Sequence, residues 1–201
     1  MLYYERRLKR QGYNLIIGVD EVGRGPLAGP VVAAAVHLKT YRFKNCITDS
    51  KKLNPAQREK AFLEIIDKSL FGLGIVTEDT IDAINILEAT RLSMQNAVDL
   101  LVEKLLFLNS FKKVFILADG NMSLNFAFPY LSIIDGESKS KSIASASILA
   151  KVIRDRIMGA YDRAYPQYGF LKHKGYSTKE HRQILKKIGP SRIHRKSFCY
   201  G

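Results

Sequence analysis

The sequence predicts an α/β fold: a mixed five-stranded sheet flanked by helices, with a helical C-terminal extension. Three observations predict it. Five short apolar runs are bounded by turn-forming residues, as buried strands are. Longer segments with apolar residues three and four apart separate the later runs and read as helices. The first strands are linked too tightly for parallel crossovers and should pair antiparallel, whereas the strand near residue 114 follows a long helix and can be parallel.

Each element has its own signal. Residues 1–12 read as a short amphipathic helix with Leu2, Tyr3 and Leu8 turned inward. Residues 15–21 (LIIGVDE) form the first strand, between Gly12 and Gly23, and residues 31–38 (VVAAAVHL) the second. Residues 55–68 form a helix, with Asn54 as N-cap, Pro55 at the first position, and Phe62, Ile65 and Ile66 on the apolar face. A third strand spans 70–77, and 80–109 is helical, in one piece or two. Residues 114–118 (VFILA) and 130–134 are strands, and 138–161 is a long helix with Pro166 and Gly169 as breakers beyond it. A last helix covers 177–188, capped by Ser177 or Thr178. The tail from Gly189 to Gly201 reads as irregular and basic.

Apolar residues make up 46% of the 201 and charged residues 25%, the balance of a globular chain long enough to bury a core without cross-links. Cys46 and Cys199 are far apart and in no metal-ligand spacing, so free thiols in a reducing compartment are expected. The N-terminus is charged and lacks the apolar run of a signal peptide, and no stretch approaches the roughly 20 apolar residues of a membrane span. The cytosol is therefore the expected compartment. Lys and Arg number 32 against 19 acids, a net charge of +13. A polyanion is the natural partner, nucleic acid first and an acidic membrane surface second.

Against that basic background, the acids stand at particular places. Asp20 and Glu21 close the first apolar strand, Asp119 closes the fourth, and Glu137 follows the fifth. Any one of them reads equally well as a solvated strand end, and Asp119-Gly120-Asn121 as a turn. Together they suggest convergent carboxylates, which repel one another unless a hard cation such as Mg²⁺ or Mn²⁺ neutralises them. Two ions roughly 3.5–4 Å apart, held by about four carboxylates, suit phosphodiester hydrolysis: one activates the attacking water, the other stabilises the departing 3′ oxygen. Adjacent strand residues point to opposite faces, so Asp20 and Glu21 can share a site only if the strand ends or twists there. The segment from Val22 to Pro26 supplies such an ending. The four histidines, His37, His173, His181 and His194, are in no metal-ligand pairing, and none is required as a base.

Several motifs surround the acids. Gly23-Arg24-Gly25 opens a glycine-rich loop that allows close backbone approach to a ligand, but it lacks the ending of a P-loop. Asp49-Ser50-Lys51-Lys52 joins a hydroxyl and two cations before a helix, suited to phosphate contact or to plain solvation. Ser138-Lys139-Ser140-Lys141-Ser142 repeats that composition at a helix start, where backbone N–H groups favour anions. The run from Ala144 to Ala150 (ASASILA) reads as small residues for close helix–sheet packing. Asp155 reads as an ion-pair residue and a weaker site candidate. Lys174 and Tyr176 precede the last helix, and Tyr176 reads as a stacking residue or as core. His194 to Phe198 in the tail either holds substrate or is solvated.

These motifs carry a resemblance. Residues 18–32 (GVDEVGRGPLAGPVV), Asp49-Ser50-Lys51-Lys52-Leu53, Ala118-Asp119-Gly120-Asn121, 145–152 (SASILAKV) and His173-Lys174-Gly175-Tyr176 occur in this order in bacterial type 2 ribonucleases H. The likeness spans about residues 15–182. It implies a ribonuclease H-like fold, with residues 1–162 as the catalytic domain and 163–201 as a helical segment that packs on it and helps bind substrate. It implies cleavage of the RNA strand of RNA/DNA hybrids and incision 5′ of single ribonucleotides in duplex DNA, giving 3′-hydroxyl and 5′-phosphate ends, hence ribonucleotide removal. Asp20, Glu21 and Asp119 match the family's metal-binding acids, and Mg²⁺ or Mn²⁺ is the implied cofactor, two ions during catalysis. Gly23, Arg24 and Gly25 match its 2′-hydroxyl-sensing loop, and Tyr176 the tyrosine that distorts the junction. Ser50, Lys51, Lys139, Ser140 and Lys174 complete the expected substrate contacts. Where the family usually has Asp before the long helix, this chain has Glu137, one methylene longer, with Asp135 as the alternative ligand.

Two other classes compete. Type 1 and type 3 ribonucleases H and junction resolvases share the chemistry but not the Gly-Arg-Gly loop and tyrosine motif. A non-catalytic nucleic-acid binder explains the charge but has no need of acids at strand ends. No clamp-binding motif is recognisable, so neither a clamp nor another obligatory protein partner is expected, and the monomer is the expected state.

Overall fold

The computed structural model of the chain describes residues 1–108 and 113–199. The expected end of the long helix at Asn109 and the last residues of the tail lie outside them. The strands are β1 (Leu15–Val22), β2 (Val31–Leu38), β3 (Ser69–Val76), β4 (Val114–Asp119) and β5 (Tyr130–Ile133). The helices are α1 (Tyr3–Arg10), α2 (Pro55–Lys68), α3 (Glu78–Leu108), α4 (Gly136–Lys139), α5 (Lys141–Ala164), α6 (Phe170–His173), α7 (Lys179–Ile188) and α8 (Lys196–Cys199).

The five strands form one mixed sheet in the order β3-β2-β1-β4-β5. β1, β2 and β3 pair antiparallel, and β4 and β5 run parallel to β1. The tight link expected between the first strands holds for β1–β2, whereas β3 pairs antiparallel with β2 although α2 lies between them. Residues 120–129 cross from β4 to β5 without a helix. Helices cover both faces, which is why the central strands read as unbroken apolar runs. On one face Leu15, Ile17, Val19, Ala33, Ala35, Ile116 and Ala118 pack against Met94, Val98 and Leu101 of α3. On the other, Val32, Ala34 and Val36 pack against α2 and α5 through Phe62, Ile65, Ile148 and Leu149. Asp20 alternates with Ile16, and Asp119 with Leu117, so both carboxylates lie on the α5 face.

Some details depart from the expectation. Tyr3 is exposed and Ile66 is at the edge of its helix's apolar face, while Leu8 is buried as expected. Asn54 caps α2 with a full capping box closed by Gln57. α3 is two helical pieces that meet at Asn85, whose backbone is not helical (φ 66°, ψ 167°) and whose Oδ1 accepts from Leu87 N–H and Glu88 N–H as the cap of the second piece. The helix expected from Ser138 is two helices: α4 makes one turn, and Ser140 restarts the chain as N-cap of α5. Thr178, not Ser177, caps α7. The tail is not wholly irregular, since it carries α8.

The N-terminal helix is tied to α5 by a buried carboxylate. Glu5 Oε1 accepts from Ser140 Oγ at 2.7 Å and from Ser142 N–H at 3.0 Å, at the positive end of α5. The C-terminal segment packs on the end of α5 and on Ala28 through Met158, Tyr168, Phe170 and Ile193.

Three histidines, His173, His181 and His194, meet in that segment. His173 and His181 stack at 4.2 Å, and His181 Nε2 lies 3.0 Å from His194 Nε2. Ser191 N–H donates to His194 Nδ1, which leaves the His194 proton on Nε2 for His181; His181 then donates from Nδ1 to the Tyr176 carbonyl. The chain works only with neutral rings. Burial, then the neighbouring histidine, pushes His194 down to about 4 from its ordinary 6.5, and burial also lowers His181. The unfolded chain thus binds more protons between those values, so the cluster's stabilisation is complete above the ordinary value and drains away as pH falls through the folded one. On acidification from about pH 7 to 5 the thermal midpoint of the wild type should fall more than that of His194→Gln, by a difference of a few degrees in a melting series.

Candidate active site

The site is built where β1 and β4 end side by side. Val19 pairs with Ala118 in parallel register, and the next residues of the two strands are Asp20 and Asp119. β1 does not stop at Asp20 but stays paired with β2 through Val22. Glu21 therefore keeps its alternation, yet it extends past the end of β4 and remains within electrostatic reach of Asp20 and Asp119. Glu137 arrives from α4. Gly136 N–H donates to Asp119 Oδ1 at 2.7 Å, which docks α4 on β4.

Ser147 of α5 joins the groups. Its Oγ donates to Glu137 Oε2 at 2.8 Å, lies 3.0 Å from Ser50 Oγ, and reaches the Asp20 carboxylate. One hydroxyl proton serves either Asp20 or Glu137, not both. In the sequence Ser147 reads as a packing residue, and its hydroxyl in a run of small residues is the one signal of a further role. Two cations stand over the cluster. Lys51 Nζ donates to Glu137 Oε1 at 3.0 Å, and Arg24 lies 3.4 Å from Glu21.

The electrostatics follow. Burial first, then the charges of Glu21 and Asp119, holds Asp20 well above the ordinary carboxylate range, against a lowering hydrogen bond from Ser147. Burial raises Glu21, opposed by Arg24. Burial raises Asp119, opposed by the Gly136 N–H. The hydrogen bond to Glu137 raises Lys51. Four acids, Asp20 and Glu137 buried and Glu21 and Asp119 half-buried, are thus brought near one another with only two cations beside them. As the side chains stand, no three His, Cys, Asp or Glu among the described residues are gathered tightly enough to hold an ion. Arg24 engages one oxygen of Glu21, and Lys51 one oxygen of Glu137. The donors are all hard oxygens, and the histidines lie elsewhere, so the set fits Mg²⁺ or Mn²⁺ and not a soft-ligand metal.

The other expected residues divide into two groups. Arg24 and Gly25 form the exposed tip of the glycine loop, and Tyr176 stands beside it, because Leu27 N–H donates to the Gly175 carbonyl at 2.8 Å. Lys139 is exposed and Lys174 half-buried. Ser50 and Ser140, in contrast, are buried and spend their hydroxyls inside the protein, on Ser147 and on Glu5, so neither presents itself to a ligand. Asp135 is exposed, in a left-handed conformation, while Glu137 turns inward. Asp155 is engaged by Lys151 at 2.7 Å and Arg58 at 3.8 Å.

A helix-covered mixed sheet with clustered carboxylates at adjacent strand ends defines a nuclease of the ribonuclease H-like class. The ribonuclease HII family profile matches residues 17–200. A ribonuclease HII from Acetivibrio thermocellus is 52% identical over 98% of this chain and 75% of its own length. The chain belongs to the ribonuclease HII family and is an endoribonuclease acting on RNA–DNA hybrids. Among solved structures, the PCNA:RNase HII complex from Archaeoglobus fulgidus superposes with a TM-score of 0.72 at 23% identity, covering 90% of this chain and 94% of that one. Bst-RNase HIII in complex with Mn²⁺ superposes at 0.70 with 17% identity, covering 94% and 68%. At these identities the two superpositions speak for the fold.

Asp20→Asn should separate stability from activity. Asn keeps the Oδ1 acceptor for the Glu21 N–H. Folding raises the Asp20 pKa, so its charge penalty grows as pH rises from the ordinary 3.8 through the folded value, and it is relieved by the amide. Thermal unfolding in EDTA at neutral pH should show a midpoint a few degrees above wild type, at roughly 2–4 °C per kcal/mol of burial and repulsion penalty removed, in a variant that should no longer cut.

Proposed function

We propose that the chain is a divalent-metal-dependent endonuclease that incises duplex DNA 5′ of a single embedded ribonucleotide, as well as the RNA strand of hybrids, leaving 3′-hydroxyl and 5′-phosphate ends. Its task is then ribonucleotide removal during DNA repair and replication. The observation that carries this reading is the convergence of Asp20, Glu21, Asp119 and Glu137 beside the exposed Arg24-Gly25 tip and Tyr176. Those four carboxylates would hold two Mg²⁺ or Mn²⁺ ions. The bound pair supplies a water activated for attack on phosphorus and charge to stabilise the departing 3′ oxygen. The Mn²⁺ complex of the type 3 neighbour supports the choice of ion.

The remaining work belongs to the chain's own side chains. Gly25 supports a role in sensing the sugar: its φ is not left-handed, and a Cβ there would meet nothing within 4 Å. Neither the backbone nor a neighbour requires glycine at that position, which leaves close approach of a ligand as the reason. The 2′-hydroxyl is the group by which a protein tells RNA from DNA at one site. Tyr176, partly exposed next to the loop, is placed to stack on the sugar or base beside it. Lys51 and Arg24 pair with carboxylates that a metal would engage, so both are available to phosphates once it binds. Lys139 and Lys174 extend the phosphate contacts.

In this reading residues 1–162 are the catalytic unit and 163–201 an extension that supports substrate binding. The monomer is the proposed working unit, since the acids, the loop and Tyr176 come from one chain. The archaeal relative was described in complex with PCNA, which makes a sliding clamp a partner to test for. Two unpaired thiols, Cys46 and Cys199, suit a reducing cytosol. No helix among the described residues is long and apolar enough to cross a membrane.

A labelled duplex with one ribonucleotide tests the reading. Wild type should incise it with Mg²⁺ or Mn²⁺ and not with EDTA, and Asp119→Asn should lose at least about 100-fold in rate. Cutting by Asp119→Asn at the wild-type rate would sink the assignment. Gly25→Ala should leave the thermal midpoint unchanged or raise stability by about 0.4–1 kcal/mol, while incision of the same duplex falls about tenfold or more.

A further inference from the structure

The glycine loop is held from inside by two buried arginines. Arg154 of α5 and Arg195 of the tail are both fully buried, and are the largest side chains that are. Arg154 donates from Nε to Pro30 O at 3.0 Å, from Nη2 to Ala28 O at 3.1 Å, and from Nη1 to Lys174 O at 3.0 Å. Arg195 donates from Nε to Gly29 O at 2.9 Å, from Nη1 to Arg24 O at 2.9 Å, and from Nη2 to Gly23 O and Gly29 O, both at 2.6 Å. The acceptors are main-chain carbonyls of the loop, with one from the segment that leads to Tyr176. The Arg154 guanidinium also lies 5.7 Å from the Tyr176 ring centre.

These contacts explain two of the loop's glycines. A Cβ at Gly23 would meet Arg154 Nε at 2.3 Å, and one at Gly29 would meet Met158 Sδ at 2.3 Å. Two adjacent buried cations need a counter-charge. Glu78, in the first turn of α3, is the buried carboxylate within electrostatic reach of both: its Oε1 has no protein partner, burial raises its pKa, and the two arginines oppose that rise. The tail that carries Arg195 is fastened from outside by Asp82, which accepts from Lys196 N–H at 2.8 Å and Ser197 N–H at 3.0 Å.

We propose that Arg154 and Arg195 are positioning residues for substrate choice: together they fix the distance between the Arg24-Gly25 tip and Tyr176, so the C-terminal tail sets specificity from beneath the loop without touching nucleic acid. The planar fork of a guanidinium fixes several carbonyls in one geometry, which a lysine ammonium does not. The proposal rests on the reading of the Gly23–Gly25 loop as the 2′-hydroxyl sensor. Its consequence is selective. A displaced sensor should harm recognition of a lone ribonucleotide more than cutting within a continuous RNA strand, where neighbouring sugars offer further registers.

The test compares kcat/KM on a single-ribonucleotide duplex with kcat/KM on a continuous hybrid, for wild type, Arg195→Lys, Asp82→Ala and Arg195→Gly with added methylguanidinium. The ratio of the two should fall about tenfold or more in Arg195→Lys and in the same direction, less steeply, in Asp82→Ala. Methylguanidinium should restore part of the ratio in Arg195→Gly. Equal losses on both substrates, or an unchanged ratio, would reduce the arginines to core cross-links and overturn the proposal. If the Arg195 variants fail to fold, the partly exposed Asp82 decides: an unchanged ratio in Asp82→Ala overturns it. A wild type that cuts hybrids but ignores single ribonucleotides overturns the reading of the loop itself, whereas a wild type that cuts both, with variants of unchanged ratio, overturns this proposal alone.

Discussion

How closely α5 can approach β1 governs the rest of the molecule. At Gly18 a Cβ would fall 2.1 Å from the Ser142 carbonyl carbon and 2.4 Å from Ile143 N, so the first turn of α5 lies directly on the strand's backbone. Any larger residue would have to lift the helix by roughly 1 Å. The contact sits two residues before Asp20, on the same face of β1. It brings Ser147 down to the level of Asp20 and lets the short α4 before it carry Glu137 to Asp119. The Glu5 carboxylate at the start of α5 and the docking of Gly136 on Asp119 then hold the helix in register.

With geometry set in this way, the acids are forced together at an electrostatic cost. Each of Asp20, Glu21 and Asp119 is pushed toward its neutral form, by burial first and by neighbouring carboxylates next. A fold that only needed stability would place amides there. The chain instead relies on partial neutralisation from outside, with Lys51 and Arg24 on flexible stems at the surface. Those cations are the natural partners of both states of the site: carboxylates when no other positive charge is present, and phosphates when one is.

The same features decide how much was legible in the sequence. The strands were legible because both faces of the sheet are covered, which leaves continuous apolar runs such as VVAAAVHL, and because an acid at the end of such a run has no packing reason to be there. Asp20, Glu21 and Asp119 therefore announced themselves. Arg154 and Arg195 did not. In a chain of net charge +13 a further arginine looks like surface, and their acceptors are carbonyls that leave no mark on side-chain pattern. Ser147 hid among residues chosen for smallness. Ser50 and Ser140 misled in the opposite sense: a serine beside lysines reads as phosphate-binding, but a helix N-terminus also needs its own N–H groups satisfied, and Ser140 spends its oxygen on Ile143 N–H. The histidine cluster was invisible because it depends on the fold of the C-terminal segment, not on spacing.

Glu137 stands where the resemblance to type 2 ribonucleases H leads one to expect an aspartate, and the local backbone suits the longer side chain. α4 is a single turn entered through the left-handed Asp135, and Gly136 packs so tightly that a Cβ there would lie 2.6 Å from Ile143 Cδ1 and 3.0 Å from Asp119 Oδ1. The turn cannot move closer to β4. From that fixed start a glutamate spans sideways, with Oε1 on Lys51 and Oε2 on Ser147. It thereby joins the Ser50-Lys51 turn to α5 across the mouth of the site. A shorter aspartate on the same backbone would sit nearer Asp119 and farther from one of those two partners. The extra methylene therefore moves negative charge away from the most crowded part of the cluster toward its cationic rim. That displacement lowers the repulsion the folded chain must bear while leaving the carboxylate within reach of its neighbours.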